Sequence, residues 1–188
     1  KDILEFEGPV ERIEELPDTD VIVGSPPCVS FSMSNKFGNA DKSEGIRLVK
    51  VFLRVVAVKK FQKRSKLKAW YMENVPRTLK YLKAAYTFRD LSLSGWAAQL
   101  GYEPSDVAIV IRGKNRIIDA ADFGVPQHRS RLFVGEIVNR NVTPFPVVTH
   151  GESKVGKDSK RYVTLRDIRR KLPSPYSKKS SAAVSDPN

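Results

Sequence analysis

A short apolar strand that ends at two prolines constrains the fold of this chain most. Residues 20–24 (Asp-Val-Ile-Val-Gly) predict a buried strand. Pro26 and Pro27 end it sharply, because each proline fixes φ and removes a backbone donor. Cys28, the only cysteine, follows at once and is therefore presented at the carboxyl end of a strand. Such a thiol is either a space-filling core residue or a candidate nucleophile.

Strand and helix patterns alternate along the rest of the chain. The predicted order is helix 45–62, strand 66–72, helix 88–100, strand 105–112, short helix or turn 119–126 and strand 131–137. This order predicts an open α/β sheet with parallel pairing, whose chemistry gathers at the carboxyl ends of its strands. Cys28 and Glu73 both follow such ends. Residues 29–44 are polar and turn-rich and predict an exposed loop.

Length and composition favour one domain that is not embedded in a membrane. A chain of 188 residues with 40% hydrophobic residues can bury one sizeable core. The sequence has no apolar run of about 20 residues, no signal peptide and no second cysteine for a disulfide. We therefore expect a reducing intracellular setting.

The charge points to a polyanionic partner. There are 33 Lys and Arg against 21 Asp and Glu, so the net charge is 33 − 21 = +12. Clustered cations bind phosphate backbones through counterion release, although they also suit an anionic membrane or simply a solvated surface. Nucleic acid is favoured, because the sequence shows neither a basic amphipathic helix nor a lipidation signal.

The sequence offers neither a histidine placed to act as the base for a catalytic cysteine nor a pair of metal ligands. The two histidines are His128, in an arginine-rich run, and His150, after a proline-rich loop, and neither position suits the base of a cysteine protease. No His or Cys pair has metal-ligand spacing, so no metal site is predicted.

The remaining polar groups suit addition of a thiol to a pyrimidine. A thiolate that attacks C6 of the ring pushes electron density onto it, and an acid near N3 with a cation near O2 would stabilise the adduct. Glu73 could be that acid, and Arg129 or Arg131 could supply the cation. The alternatives stay open: Glu73 could merely cap a turn, and the arginines could contact only solvent or phosphate.

Three ordered motifs resemble those of the DNA cytosine-5 methyltransferases. They are Ser25-Pro26-Pro27-Cys28 with Phe31-Ser32, then Glu73-Asn74-Val75, then residues 120–127 (Ala-Ala-Asp-Phe-Gly-Val-Pro-Gln) with Arg129 and Arg131. Lesser matches are Lys1-Asp2-Ile3, Leu48, Phe145-Pro146, Thr149-His150 and residues 163–168. The resemblance covers roughly residues 1–175 and implies part of a Rossmann-like, S-adenosylmethionine-dependent methyltransferase sheet. The composition of residues 176–188, rich in Ser, Lys and Ala, separately predicts a flexible tail or linker.

The resemblance implies a role for each matching residue. Cys28 would attack C6 of a cytosine flipped out of double-stranded DNA, Glu73 would act at N3, Arg131 near O2, and Arg129 would support the site. Contacts to the S-adenosylmethionine cofactor would come from Asp2, Ile3, Pro27 and Leu48. Contacts to the substrate would come from Ser25, Pro26, Asn74, Val75 and Gln127. The loop at 29–44 would close on DNA.

The chain also departs from the family pattern. Val29 stands where most members have glutamine, which predicts weaker catalysis. The glycine-rich first cofactor motif, the acidic residue for the cofactor ribose and the target-recognition region are not found in the sequence. We therefore expect a split subunit, a fragment or a partial sequence. Weak cofactor binding by the chain alone is predicted, with a complementary subunit or segment as partner.

Two alternative functions remain open at this level. One is cytosine-5 methylation of RNA such as transfer RNA, since a branch of the family acts there. The other is a non-catalytic nucleic-acid-binding regulatory subunit of the same fold. The expected location is the cytoplasm, with the nucleoid, in a prokaryote and the nucleus in a eukaryote.

Overall fold

The described part of the chain forms two compact units. The computed structural model describes residues 2–27, 42–140, 145–152, 160–170 and 172. One unit comprises residues 1–118 with 130–145, and the other comprises 119–129 with 146–188. Cys28, most of the predicted loop at 29–44 and the predicted tail at 176–188 lie outside the described residues.

The predicted helices and strands are present in the predicted order, but the strand at residues 21–24 is not buried as predicted: Val21 is 50% exposed and Val23 is 72% exposed. The α-helices are α1 (Glu11–Glu14), α2 (Lys42–Phe61), α3 (Ser94–Gln99) and α4 (Leu165–Arg169), and short 3₁₀ helices span Ile3–Glu7, Pro76–Tyr81 and Ala120–Phe123. The strands are β1 (Val21–Gly24), β2 (Ala69–Asn74), β3 (Ala85–Thr87), β4 (Val107–Val110), β5 (Asn115–Asp119), β6 (Ser130–Ile137), β7 (His150–Gly151) and β8 (Lys160–Arg161). The predicted α/β class is confirmed.

The main sheet has four strands in the order β1-β2-β6-β5. β1 runs parallel to β2, whereas β6 runs antiparallel to β2. The expectation of uniformly parallel pairing is therefore wrong. In the chain, β6 does not follow β2 through a single crossover, because β3, α3, β4 and β5 lie between them. The alternation of helices and strands therefore does not fix the direction of β6 relative to β2. β3 and β4 form a separate antiparallel pair.

Helix α2 covers the first part of this sheet with its apolar face. Val49, Phe52, Leu53 and Val56 are buried in one core with the β2 side chains. The end of β1 approaches the helix closely: a Cβ at Gly24 would lie 2.3 Å from Cε2 of Phe52. Only glycine fits there, so the turn that follows β1 is pressed onto α2.

Two helix boundaries differ from the sequence prediction. α2 begins at Lys42, so the last residues of the predicted loop at 29–44 belong to the helix. The predicted helix 88–100 is helical only from Ser94. Ser92 adopts a positive φ of 57°, which breaks a right-handed helix. Gly101, with φ 85°, ends α3 as predicted.

A buried ion-pair cluster lies on β2 and β6. Glu136 stands opposite Trp70, and its Oε1 accepts hydrogen bonds from Lys60 Nζ at 2.6 Å and Trp70 Nε1 at 3.2 Å. Lys114 Nζ lies 3.7 Å from Oε2. This cluster ties α2 to β6.

The second unit is built from short elements. β7 pairs in parallel with β8, and α4 begins with a capping box in which Thr164 and Asp167 bond reciprocally. Gly124 has φ 84°, and a Cβ there would lie 2.7 Å from the His150 ring. Of the helices in the described ranges, none is long and apolar enough to cross a bilayer.

Candidate active site at the carboxyl ends of β1 and β2

Glu73, near the end of β2, is held by two partners. Ser25 Oγ donates a hydrogen bond to Glu73 Oε2 at 2.5 Å. Arg131 Nε donates to the other oxygen, Oε1, at 2.9 Å. Both long side chains keep solvent access, at 28% for Glu73 and 23% for Arg131. The carboxyl group is therefore oriented but still reachable.

The antiparallel direction of β6 creates this meeting. Glu73 stands opposite Phe133 and Asn74 opposite Leu132, so the first residues of β6 lie beside the last residues of β2. Arg131 reaches Glu73 from the amino-terminal end of its strand. The sequence places Arg131 beside a predicted strand end, and the antiparallel direction of β6 is what brings it to the same edge of the sheet as Glu73.

Asn74 fixes the turn that leads towards Cys28. Its side chain is 1% exposed, and its Nδ2 donates to the carbonyl of Pro26 at 2.9 Å. Its Oδ1 accepts from Val75 N at 2.9 Å and from Thr78 Oγ1 at 2.7 Å. These bonds satisfy a buried amide and join the ends of β1 and β2.

The predicted nucleophile itself lies outside the described residues. Of the four-residue turn, Ser25 and Pro27 are exposed and Pro26 is buried. The thiol of Cys28 therefore follows a turn whose first residue binds Glu73 and whose second is bonded to Asn74. The substrate contacts predicted for Ser25, Pro26, Asn74 and Val75 stay predictions.

Gln127 and Arg129 belong to the second unit and are both exposed. The backbone N–H of Arg129 donates to Asp119 Oδ1 at 2.9 Å. Sequence analysis did not single out Asp119. The signal that could have found it is an aspartate at the end of a strand-like run, directly before the Ala-Ala-Asp-Phe-Gly motif.

Three of the residues predicted to contact S-adenosylmethionine lie at the first 3₁₀ helix and on α2, and their cofactor contacts stay predictions. Asp2 is exposed and caps the 3₁₀ helix Ile3–Glu7, with Oδ1 accepting from Leu4 N at 3.0 Å. Ile3 is half-buried against the core, and Leu48 is half-buried on α2. The 3₁₀ helix packs against α2. The two apolar side chains suit a flat purine ring, and the carboxylate suits a hydroxyl or an ammonium group.

A cavity of about 560 Å³ beside α2 was not foreseen. Its cationic wall consists of Arg47, Lys50 and Arg54, which recur at helical spacing. Arg47 is paired with Glu7 at 2.5 Å, and Arg54 is buried and donates to four backbone carbonyls, those of Phe6, Gly8, Leu91 and Ser92. None of the predicted cofactor residues lines this cavity.

Electrostatics and donor types limit what the site can do. Within the ranges that the structure describes, no group of three or more His, Cys, Asp and Glu side chains could hold a metal ion. A carboxyl group flanked by a hydroxyl and a guanidinium can instead bind a polar ring edge that carries both a nitrogen and an oxygen.

Comparison with known proteins identifies similar sequences over most of the chain. The profile of the family described as C-5 cytosine-specific DNA methylase matches residues 2–186. The type II methyltransferase M.AquIA of Picosynechococcus is 32% identical over 83% of this chain, and M1.HphI of Haemophilus parahaemolyticus is 36% identical over 71%. The rice DNA (cytosine-5)-methyltransferase CMT2 is 33% identical over 77%.

The matched regions are only parts of these relatives. The chain spans 61% of M.AquIA, 31% of M1.HphI and 10% of rice CMT2. Among solved structures, a prophage-encoded DNA modification methyltransferase from E. coli has a TM-score of 0.46 at 21% identity, covering 93% of this chain and 41% of that protein.

Proposed function

The chain belongs to the C-5 cytosine-specific DNA methylase family, and on this premise we propose that it carries the catalytic residues for methyl transfer from S-adenosylmethionine to C5 of cytosine in DNA. The resemblance noted in the sequence is thereby confirmed at the level of the family. The mixed α/β sheet is consistent with part of a Rossmann-like methyltransferase fold.

One observation carries the proposal. Glu73 is bonded through one oxygen to Ser25, three residues before Cys28, and through the other to Arg131. The three residues come from segments far apart in the sequence, yet they meet at the carboxyl ends of β1 and β2. A carboxyl group and a guanidinium, together with the thiol that follows three residues after Ser25 in the sequence, are the groups that addition to a pyrimidine requires.

The proposed chemistry begins with the thiolate of Cys28. Its sulfur forms a bond to C6 of a flipped cytosine while the electron pair of the C5–C6 double bond moves towards C5 and the ring. Glu73, carrying a proton, donates it towards N3, so that the ring accepts this electron density. Arg131 donates hydrogen bonds to the region of O2, where negative charge would otherwise accumulate.

The second half of the reaction restores the ring. S-adenosylmethionine, when bound, supplies an electrophilic methyl group to the nucleophilic C5. N3 would then return its proton to Glu73, and C5 would lose its own proton to solvent. The electron pair of that C–H bond would re-form the C5–C6 double bond while the Cys28 sulfur leaves as thiolate. Ile3 and Leu48 would hold the adenine of the cofactor, and Asp2 and Pro27 would border it.

The proposed substrate is double-stranded DNA from which the target base is extruded. The net charge of +12 favours a phosphate backbone, and extrusion gives access to C5 and C6, which a stacked base does not. Ser25, Asn74, Val75 and Gln127 are the proposed contacts around the extruded base, with Pro26 behind them. The protein would accordingly reside with the DNA, in the cytoplasm of a prokaryote or the nucleus of a eukaryote.

Covalent trapping tests the proposal. The protein, produced as its gene encodes it, is incubated with S-adenosylmethionine and duplex DNA that contains 5-fluorocytosine. Fluorine at C5 cannot leave as a proton does, so the adduct to Cys28 should persist in a denaturing gel. Cys28→Ser, which keeps size and polarity, is the matched control and should give no adduct.

Two results would contradict this function. Equal trapping by the parent and by Cys28→Ser would remove the thiol mechanism. Trapping of 5-fluorocytosine in transfer RNA but not in duplex DNA would reassign the substrate to RNA.

The need for a complementary subunit or segment stays a prediction, as does the division into a catalytic part over residues 1–175 and a tail. Titration calorimetry of the 188-residue chain with S-adenosylmethionine measures the affinity directly. Micromolar binding by this chain alone would contradict the expectation that another segment supplies the glycine-rich cofactor motif.

A further inference from the structure

Asp119, the last residue of β5, holds both ends of the segment that carries Gln127 and Arg129. Its Oδ1 accepts hydrogen bonds from the backbone N–H groups of Ala121 at 3.0 Å and Arg129 at 2.9 Å. Its Oδ2 lies 3.2 Å from Nδ1 of His128. One carboxylate thus joins residues that are eight positions apart in the chain.

The backbone closes the same segment independently. Ala120 N–H donates to the carbonyl of Arg129 at 3.2 Å, and Val125 N–H donates to the carbonyl of Ala120 at 3.3 Å. The loop would therefore remain closed without the carboxylate. What Asp119 adds is a fixed direction for the amide of Arg129, and with it for the peptide from which that side chain projects.

Helix capping alone does not explain this arrangement. Asp119 is the N-cap of the 3₁₀ helix Ala120–Phe123, and a cap needs only the bond to Ala121. The bond to the Arg129 amide lies outside the helix. The Asp119 side chain is 24% exposed, whereas Gln127 and Arg129 are exposed. A partly buried carboxylate therefore holds a segment that faces solvent.

We infer that Asp119 is a positioning residue that orients Arg129 towards the DNA substrate. The inference rests on the proposed function, because it assigns Arg129 a partner in the extruded base or its phosphate. The hydrogen bond from Ala121, together with those from Arg129 and His128, holds the pKa of Asp119 below its usual value. The group is therefore an ionised acceptor at neutral pH, and bonds to an ionised acceptor are the stronger kind.

A pair of substitutions separates positioning from simple packing. Asp119→Ala removes both backbone bonds, whereas Asp119→Asn keeps an oxygen that can accept them. Asp167→Ala is the matched control, because it removes a carboxylate that accepts a backbone N–H, that of Thr164 at 2.9 Å, elsewhere in the same unit. Each is measured by the rate of 5-fluorocytosine trapping, in the parent and in an Arg129→Ala background.

We expect Asp119→Ala to slow trapping only when Arg129 is present. Asp119→Ala should slow trapping on the order of tenfold to hundredfold, since misplacement by about 1 Å can cost about that much. Asp119→Asn should stay within about threefold of the parent, because only the charge of the acceptor is lost. In the Arg129→Ala background, Asp119→Ala should add little, since the two changes share one interaction. Asp167→Ala should trap at the parental rate.

Amide hydrogen exchange of the protein without DNA gives a second readout. The Arg129 amide should exchange faster in Asp119→Ala but not in Asp119→Asn or Asp167→Ala. The inference would be overturned if the exchange rate of the Arg129 amide were unchanged in Asp119→Ala. It would also be overturned if Asp119→Ala slowed trapping as much in the Arg129→Ala background as in the parent, or if Asp119→Asn trapped as slowly as Asp119→Ala. If the parent traps no DNA, the proposed function fails, and the exchange experiment still decides the bonds of Asp119.

Discussion

Two glutamates on the same pair of strands differ in how completely protein groups surround their carboxylates. Glu136 on β6 is buried between Lys60, Trp70 and Lys114. Glu73 on β2 also binds a cation, Arg131, but its other partner is the exposed hydroxyl of Ser25, and its side chain keeps 28% of its surface in contact with solvent. A carboxylate surrounded by protein donors stabilises the fold, whereas one with an open side can meet a substrate.

The comparison also shows that an ion pair does not by itself mark a site. Both glutamates have a cation within 2.9 Å. The difference lies in location: Glu73 sits at the sheet edge beside the turn that leads to Cys28, while Glu136 faces Trp70 inside the β2–β6 ladder. Substitutions at the two positions should therefore separate activity from stability.

Removing the acid at Glu73 should have the largest effect. Glu73→Gln keeps the shape of the side chain but cannot deliver a proton to N3, so trapping or methyl transfer should fall by about 10²–10⁴-fold. Glu136→Gln should leave the rate per folded molecule unchanged. Labelled methyl transfer to duplex DNA measures both variants, and a similar loss in both would erase the distinction between the two glutamates.

Alanine substitutions at the same two glutamates should rank in the opposite order when the free energy of unfolding is measured. Glu136→Ala leaves Lys60 without its buried partner and should lower the free energy of unfolding by about 3 kcal/mol, as expected when one member of a buried pair is removed. Glu73→Ala should cost less than half as much, because its partners can turn towards water. Urea denaturation followed by tryptophan fluorescence reports the values, and a larger cost at Glu73 would reverse the assignment.

The contribution of Glu136 to the free energy of unfolding should depend on pH in the acid range. Burial acts to raise the pKa of Glu136, but the hydrogen bond and charge of Lys60, with Trp70 and Lys114, outweigh it and hold the pKa below 4.5. A lowered folded-state pKa contributes stability that is complete above the unfolded value and is lost as pH falls through the folded value. The parent should therefore lose more stability than Glu136→Gln as pH falls below about 4.5 and on through the lowered folded-state pKa of Glu136. Parallel unfolding curves for the two proteins would contradict this.

Loss of the hydroxyl at Ser25 should have the smallest effect. Ser25→Ala removes one of the two bonds that orient Glu73, and a single hydrogen bond is worth about 0.5–1.5 kcal/mol, which corresponds to a few-fold to about tenfold slower trapping. Ser25→Thr should preserve the rate, because it retains the hydroxyl. A loss as large as that of Glu73→Gln would mean that Ser25 has a chemical role of its own.

The sequence predicts the strands that carry the site but not their directions. β1, β2 and β6 are recognisable, because each is an apolar run with a clear end. Strand direction leaves no mark on periodicity, so the antiparallel direction of β6 relative to β2 could not be predicted from the sequence. β3 and β5 were missed: β3 has only three residues, and β5 (Asn115–Asp119) is largely polar.

The sequence likewise predicts some of the site residues but not the contacts that depend on how the strands are arranged. Glu73 and Arg131 were found because their chemistry and their motifs agree. Asn74 was assigned a substrate contact, and its buried bonds to Pro26 and Thr78 could not be foreseen, because they depend on how β1 and β2 end side by side. The Arg47–Glu7 and Lys60–Glu136 pairs join residues far apart in sequence, which periodicity cannot connect.

The tight packing of Gly24 on Phe52 has a consequence for sequence variation among homologues. Because no Cβ fits beside that ring, the two positions cannot drift independently. Homologues with alanine or serine at position 24 should carry a smaller side chain at position 52, and such pairs should appear as covariation across the family. Introducing alanine or serine at position 24 alone would displace the turn before Cys28, whereas combining it with a smaller side chain at position 52 would leave the turn in place.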